Sequence, residues 1–165
     1  MSVALIVLCV GCQRDLTRGG AKALIEKSDS FAKEQYDSFR VGHVYSLWEQ
    51  RYAEMQEAGY VKIMPLSYGD ARVVLTDKGR NTIRQLGGRI DHDSVTIPSG
   101  KQELIAVTGV STDGKTAVAD FSWRWNFNEL SAVLNPLDVG AVRRGRAFLR
   151  LYDDGWRVMS IDYPK

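Results

Sequence analysis

At 165 residues the chain is long enough for one domain, or for two small ones sharing a core. A hydrophobic content of 44% with 25% charged residues is that of a globular protein with a packed interior, which excludes a disordered chain. The net charge of +2 is too small by itself to signal a nucleic-acid partner or an acidic substrate. Both cysteines, Cys9 and Cys12, precede the body of the chain. The body therefore has no disulfide framework, thiolate cluster or cysteine nucleophile of its own.

Residues 3–10 form a run of eight apolar residues, and the first charged side chain after it is Arg14. A bilayer-spanning helix needs about 20 apolar residues, so this run reads as the apolar core of a secretory signal. It ends in Leu8-Cys9-Val10-Gly11-Cys12. These residues resemble the lipobox of bacterial lipoproteins, in which a small residue precedes the cysteine that is lipidated and becomes the mature N-terminus. Gly11 and Cys12 match that pattern. Cys9 stands where Leu is usual, with Leu8 one place earlier, and no Lys or Arg precedes the apolar run. The resemblance implies lipid on Cys12 and a membrane-anchored protein of the cell envelope, on the periplasmic or outer-membrane side in a Gram-negative cell. Gln13, unlike Asp, does not favour retention on the inner membrane. Two other readings compete: a buried strand, since VALIVL has high β-propensity, and a C-x-x-C redox or metal pair. Residues 13–20 (QRDLTRGG) are polar and end in Gly-Gly, as a flexible tether would.

Downstream, Ala21, Leu24, Ile25, Phe31 and Ala32 have helical spacing over residues 21–33, with an interruption near 28–30. Val44, Leu47, Trp48, Tyr52 and Met55 predict a second helix over residues 43–58, closed by Gly59. Short strands follow at 60–64 and 72–75, joined by a turn containing Pro65, Gly69 and Asp70. Thr76 is placed to cap a helix from 77 to about 86 that ends at Gly87-Gly88. The order of helix, E-A-G-Y-V-K-I, turn and A-R-V-V-L-T-D-K-G-R resembles the back half of a winged-helix domain. That likeness spans residues 43–86, about a quarter of the chain.

The C-terminal part reads as β-rich. One strand is expected at 103–110. In the next, 115–127, Ala117, Ala119, Phe121, Trp123, Trp125 and Phe127 alternate with mostly polar residues, which marks a long antiparallel strand with one covered face. Asp113-Gly114 supplies the turn between them. Residues 146–152 and 156–161 form a second hairpin across Asp153-Asp154-Gly155, and 129–145 is a loop or short helix. The ending R-A-F-L-R-L-Y-D-D-G-W-R-V resembles, loosely, terminal hairpins of cystatin-like domains with curved sheets. The expected fold class is α+β: N-terminal helices with a winged-helix-like unit over residues 21–90, packed with an antiparallel sheet of about four strands over 91–165.

No catalytic constellation emerges. His43 and His92 are the two histidines, and no G-x-S-x-G elbow, P-loop or G-x-G-x-x-G pattern is present. Asp91-His92-Asp93 offers metal-type ligands, but neighbours on a strand point to opposite faces, so we read it as a solvated linker. The helix at 43–58 carries three glutamates against Arg51, the wrong sign for a phosphate-facing element. Arg143, Arg144 and Arg146 form the densest basic cluster, able to meet anionic headgroups or simply to be solvated. The expectation is thus a lipid-anchored envelope protein acting as a protein-interaction or scaffold module, non-enzymatic, with no cofactor and no nucleic-acid partner. The alternatives are a small apolar-ligand binder on a curved sheet and a winged-helix DNA-binding regulator. Phe121, Trp123, Trp125 and Phe127, with Tyr152 and Trp156, are the candidate ligand or partner face.

Overall fold

The computed structural model describes residues 15–45 and 50–164. The apolar run, the lipobox-like segment and Cys12 lie outside the described residues. The chain begins with helix α1 (Arg18–Glu26), whose N-cap Thr17 accepts a hydrogen bond from the Gly20 amide, and a single turn, α2 (Asp29–Ala32). Leu16 is already buried. Residues 17–20, expected in a flexible tether, are instead the cap and first turn of α1; Gly19 and Gly20 are tolerated because Ala21 and Ile25 bury the inner stripe of the helix.

Strand β1 (Gln35–Arg40) was not foreseen from the sequence. It is followed by β2 (Gly42–Val44), α3 (Gln50–Glu57), β3 (Val61–Pro65), a 3-10 turn (Ser67–Gly69) and β4 (Ala71–Leu75). His43 and Val44 were expected in the second helix; they pair instead with the outer edge of β4, and Val44 is buried there. Val44 shares the helical spacing of Tyr52 and Met55, but β4 presents an open ladder edge that only an extended segment can fill. The result is a three-stranded sheet in the order β2-β4-β3. Helix α4 (Asp77–Gln85) follows, then the short strand β5 (Arg89–Asp91).

The second sheet is antiparallel throughout. Its strands are β1, β5, β6 (Ser94–Asp113), β7 (Thr116–Phe127), β8 (Arg143–Tyr152) and β9 (Gly155–Asp162). Between β7 and β8 lie α5 (Glu129–Leu134) and a 3-10 turn (Pro136–Asp138). The sheet has six strands where about four were expected, because β1 and β5 both pair with the first third of β6. Asp91-His92-Asp93 closes the β5–β6 hairpin, with His92 in the left-handed region at φ 38°. The α+β class holds, with helices packed on antiparallel sheet.

Two hydrophobic cores meet along β6. Val95 and Ile97 belong to one core, with Phe39, Tyr52, Met55, Val73, Ile83 and Leu130. Leu104 and Val107 belong to the other, with Ile25, Phe31, Phe121, Trp123 and Leu149. Gly100 lies between these pairs at φ +130°, and a Cβ there would come within 2.2 Å of the Asn126 carbonyl oxygen. Only glycine allows β6 to turn at this point while β7 approaches so closely.

The first core is tied by a dense set of backbone contacts. The Tyr52 hydroxyl donates to the Arg40 carbonyl at 3.0 Å and accepts from the Arg40 amide at 3.1 Å, joining α3 to the end of β1. The Thr76 hydroxyl donates to the Gly59 carbonyl at 2.7 Å and accepts from the Gly79 amide at 3.0 Å, so one side chain both stops α3 and starts α4. Lys78 Nζ donates to the Ala58 carbonyl at 2.7 Å and lies 4.5 Å from the centre of the Tyr60 ring. At Gly79 an added Cβ would sit 2.1 Å from the Tyr60 carbonyl oxygen. The T-D-K-G sequence thus serves the packing of α4 on the start of β3.

Thr76→Ala should therefore cost about 1–2 kcal/mol in chemical denaturation by loss of the cap. Gly79→Ala should cost about 1–3 kcal/mol because backbone must move to admit a methyl group. If Gly79→Ala left stability unchanged, the close approach of α4 and β3 would be refuted.

Candidate functional site

The alternation of β7 places Ala117, Ala119, Phe121 and Trp123 on the covered face, all buried, with Trp125 and Phe127 half-buried at its end. The roof over this face is made by the N-terminal helices and the C-terminal residues. Phe31 of α2 meets Phe121 edge-on, with ring centroids 5.7 Å apart. Tyr163 meets Trp123 edge-on at 5.0 Å, and its hydroxyl donates to Gln102 Oε1 at 2.8 Å. Trp123 keeps 3% of its surface exposed, and its indole N–H donates to the Arg144 carbonyl at 3.4 Å. The centre of the aromatic row is therefore core.

Exposure returns at the end of the row. Trp125 and Phe127 stack at 5.3 Å with their planes 15° apart, while Trp123 abuts Trp125 edge-on at 5.8 Å. Trp125 and Phe127 line a cleft of about 220 Å³ together with Asp37, Ser99, Asn135 and Asp138. Helix α5 fixes the polar wall. Asn128 caps it by accepting from the Leu130 and Ser131 amides at 3.1 and 2.9 Å, and its amide nitrogen donates to the Pro98 carbonyl. At the other end of α5, Asn135 Nδ2 donates to Asp37 Oδ2 at 3.2 Å and to the Ser131 carbonyl at 3.0 Å. Asp138 is ion-paired with Arg143. The cleft thus combines a stacked aromatic pair with the amides of Gln35 and Asn135 and the carboxylates of Asp37 and Asp138, the latter already neutralised. This composition suits a small ligand with both an apolar face and hydrogen-bonding groups.

Of the residues singled out from sequence, the structure groups Phe121, Trp123, Trp125 and Phe127 on one face. Trp156 packs partly buried against the same core. Tyr152 lies apart on the outer face of β8, where the guanidinium carbons of Arg157 and Arg150 stand 5.1 and 5.7 Å from its ring centre. Asp37, Asn135 and Asp138 were not singled out. Asp37 and Asn135 meet across 98 positions of chain, and no local pattern marks either. Tyr163 was also missed, although it extends the alternation of β9 beyond Ile161. Among the described residues, no group of three or more His, Cys, Asp or Glu side chains could hold a metal ion. No helix among them is long and apolar enough to cross a membrane.

Two tyrosines at the edges of the cores have raised pKa values. Burial is the main cause for Tyr60, reinforced by the negative charge of Glu129 on α5 and a hydrogen bond to it. Burial also raises Tyr163, against the opposing effect of hydrogen bonds to Ser30 and Gln102.

Comparison with protein-family models, with curated proteins and with solved structures finds no match for this chain.

Because the folded-state values lie above the ordinary tyrosine value of 10.0, the unfolded chain loses these protons first. Their contribution to stability is complete below that value and is lost as the pH rises through the folded values. Denaturation midpoints should fall as the pH rises above about 10. The fall should be shallower in Tyr60→Phe/Tyr163→Phe; an identical pH slope in that variant would rule out these two groups as its source.

Proposed function

We propose that this chain is a lipid-anchored cell-envelope protein, held on a membrane by acyl chains on Cys12 and acting as a protein-interaction or scaffold module. The observation that carries the reading is the apolar run ending in Val10-Gly11-Cys12, ahead of a body that contains no cysteine. One acyl chain holds a protein only marginally, and the two or three chains of a lipoprotein cysteine hold it stably. Among the described residues Leu16 is the first that is buried, and three residues stand between it and Cys12 in the sequence. A segment of that length spans at most about 14 Å whatever its conformation. Such an anchor would hold the body against the headgroups rather than at the end of a long leash. The side chosen is the periplasmic or outer-membrane side in a Gram-negative cell, following Gln13 after the cysteine.

The interaction role is supported by where apolar surface is left. The inner face of the large sheet is covered by α1, α2 and Tyr163 as far as Trp123, whereas the outer face of β8 and β9 exposes Phe148, Tyr152 and Met159 beside Arg146, Arg150 and Arg157. Tyr, Phe, Met and Arg are residue types enriched at protein interfaces. The winged-helix-like unit is read here as a packing scaffold and not as a nucleic-acid reader, since Thr76, Lys78 and Gly79 of its motif are used in internal contacts. A second reading, a ligand-binding module, is favoured by one observation, the cleft at Trp125 and Phe127. It moves any ligand away from Trp123, which is enclosed.

Cell fractionation tests the anchor. The native protein should sediment with membranes and Cys12→Ser should not, with unchanged thermal unfolding of the body. Mass spectrometry of the native N-terminus should find acyl chains on Cys12; an unprocessed start with a free thiol at that position would end the proposal.

A further inference from the structure

The connection between α5 and β8 exposes more apolar surface than a solvated loop requires. In residues 136–142 (PLDVGAV), Leu137 is 87%, Val139 54% and Val142 63% exposed. The loop nevertheless has a defined backbone: the amides of Asp138, Val139 and Ala141 donate to the carbonyls of Asn135, Pro136 and Asp138 at 3.0, 3.4 and 3.2 Å. Its base is held by the hydrogen bonds of Asn135 to Asp37 and Ser131. The apolar side chains are thus presented to water by an ordered turn. Immediately after them come Arg143, Arg144 and Arg146. Asp138, the acidic residue of the loop, is neutralised by Arg143, Arg146 pairs with Asp120, and Arg144 has no ion-pair partner among the described residues. An apolar tip with a net basic base has the composition that enters the headgroup region of an anionic bilayer: apolar residues go below the phosphates and guanidinium groups meet them.

We propose that residues 136–142, with Arg144 behind them, form a docking loop for an anionic membrane surface. Leu137, Val139 and Val142 enter the interface and Arg144 contacts lipid phosphate. This goes beyond the lipid anchor and does not depend on it, since the loop would bind whether or not Cys12 carries acyl chains.

The cysteine-free body makes a local test available. The full-length variant Cys9→Ser/Cys12→Ser/Val139→Cys has one thiol and no possible lipid at position 12. It is labelled at position 139 with an environment-sensitive fluorophore and mixed with vesicles of phosphatidylglycerol or of phosphatidylcholine. The expected result is a blue shift of the emission with phosphatidylglycerol that is reversed by high salt. Adding Arg144→Glu should weaken the titration on the order of tenfold. Adding Leu137→Asp/Val142→Asp should abolish the shift, with unchanged circular dichroism showing that the fold persists. An unshifted spectrum with phosphatidylglycerol overturns the proposal, even if the protein sediments with the vesicles through its N-terminus. An equal shift with phosphatidylcholine overturns the role given to Arg144. Because both native cysteines are absent, neither result bears on the acyl anchor.

Discussion

The structure depends on one strand belonging to two cores. β6 carries Val95 and Ile97 into the core built around Met55, Ile83 and Leu130, and Leu104 and Val107 into the core built around Ile25 and Phe121. Neither core could be moved without dragging the other, because the 20-residue strand is continuous in the ladder on both sides of Gly100. The strand also changes partners there, from β1 to β7. α5 closes this joint from the side through the hydrogen bond of Asn128 to Pro98, while Leu130 and Leu134 pack into the first core. The cleft at Trp125 and Phe127 lies at the same joint. It is the gap left where the aromatic row of β7 runs past the second core and meets the polar end of α5.

The β7 row shows how sequence pattern and burial can diverge. Alternation identifies which residues share a face, and it did so correctly for Phe121, Trp123, Trp125 and Phe127. It says nothing of how far along the strand a roof extends. Here α1 and α2 cover the Phe121 end, Tyr163 covers Trp123, and the cover stops before Trp125. The same limit applies to Tyr152. Its aromatic character suggested a shared face with Trp156, but the pleat puts Tyr152 among arginines on the outer surface.

Much of the secondary structure was legible where a strong period or cap exists. The β7 alternation, the Asp153-Asp154-Gly155 turn and the Thr76 cap gave elements within a few residues of those observed. The failures have physical causes. Residues 94–100 contain Pro98 and Gly100, both poor strand residues, yet β6 runs through them because β1 and β5 pair beside them and Gly100 supplies a bend. β1 reads QYDSFR, too polar to announce itself, and forms because β6 offers a ladder edge. α1 begins three residues early because Leu16 and Ala21 find partners on the sheet, outweighing two glycines. The polar wall of the cleft was invisible because it is assembled from β1, α5 and the following turn, segments with no local relation.

Among the described residues, no buried side-chain nitrogen or oxygen lacks a hydrogen-bond partner. Polar groups left unpaired in a low-dielectric interior are costly, and this interior has been cleared of them. The exposed apolar side chains include Leu137, Val139 and Val142 on one loop, and Phe148 and Met159 on the outer sheet face. Folding alone gives no reason to hold Leu137 in water on an ordered turn, since an exposed leucine contributes nothing to either core. Contact with an anionic bilayer, as proposed for this loop, would give those side chains a place out of water. A body anchored through Cys12, as proposed, would meet that phase first, and the arginines behind the loop would select the charge of the surface.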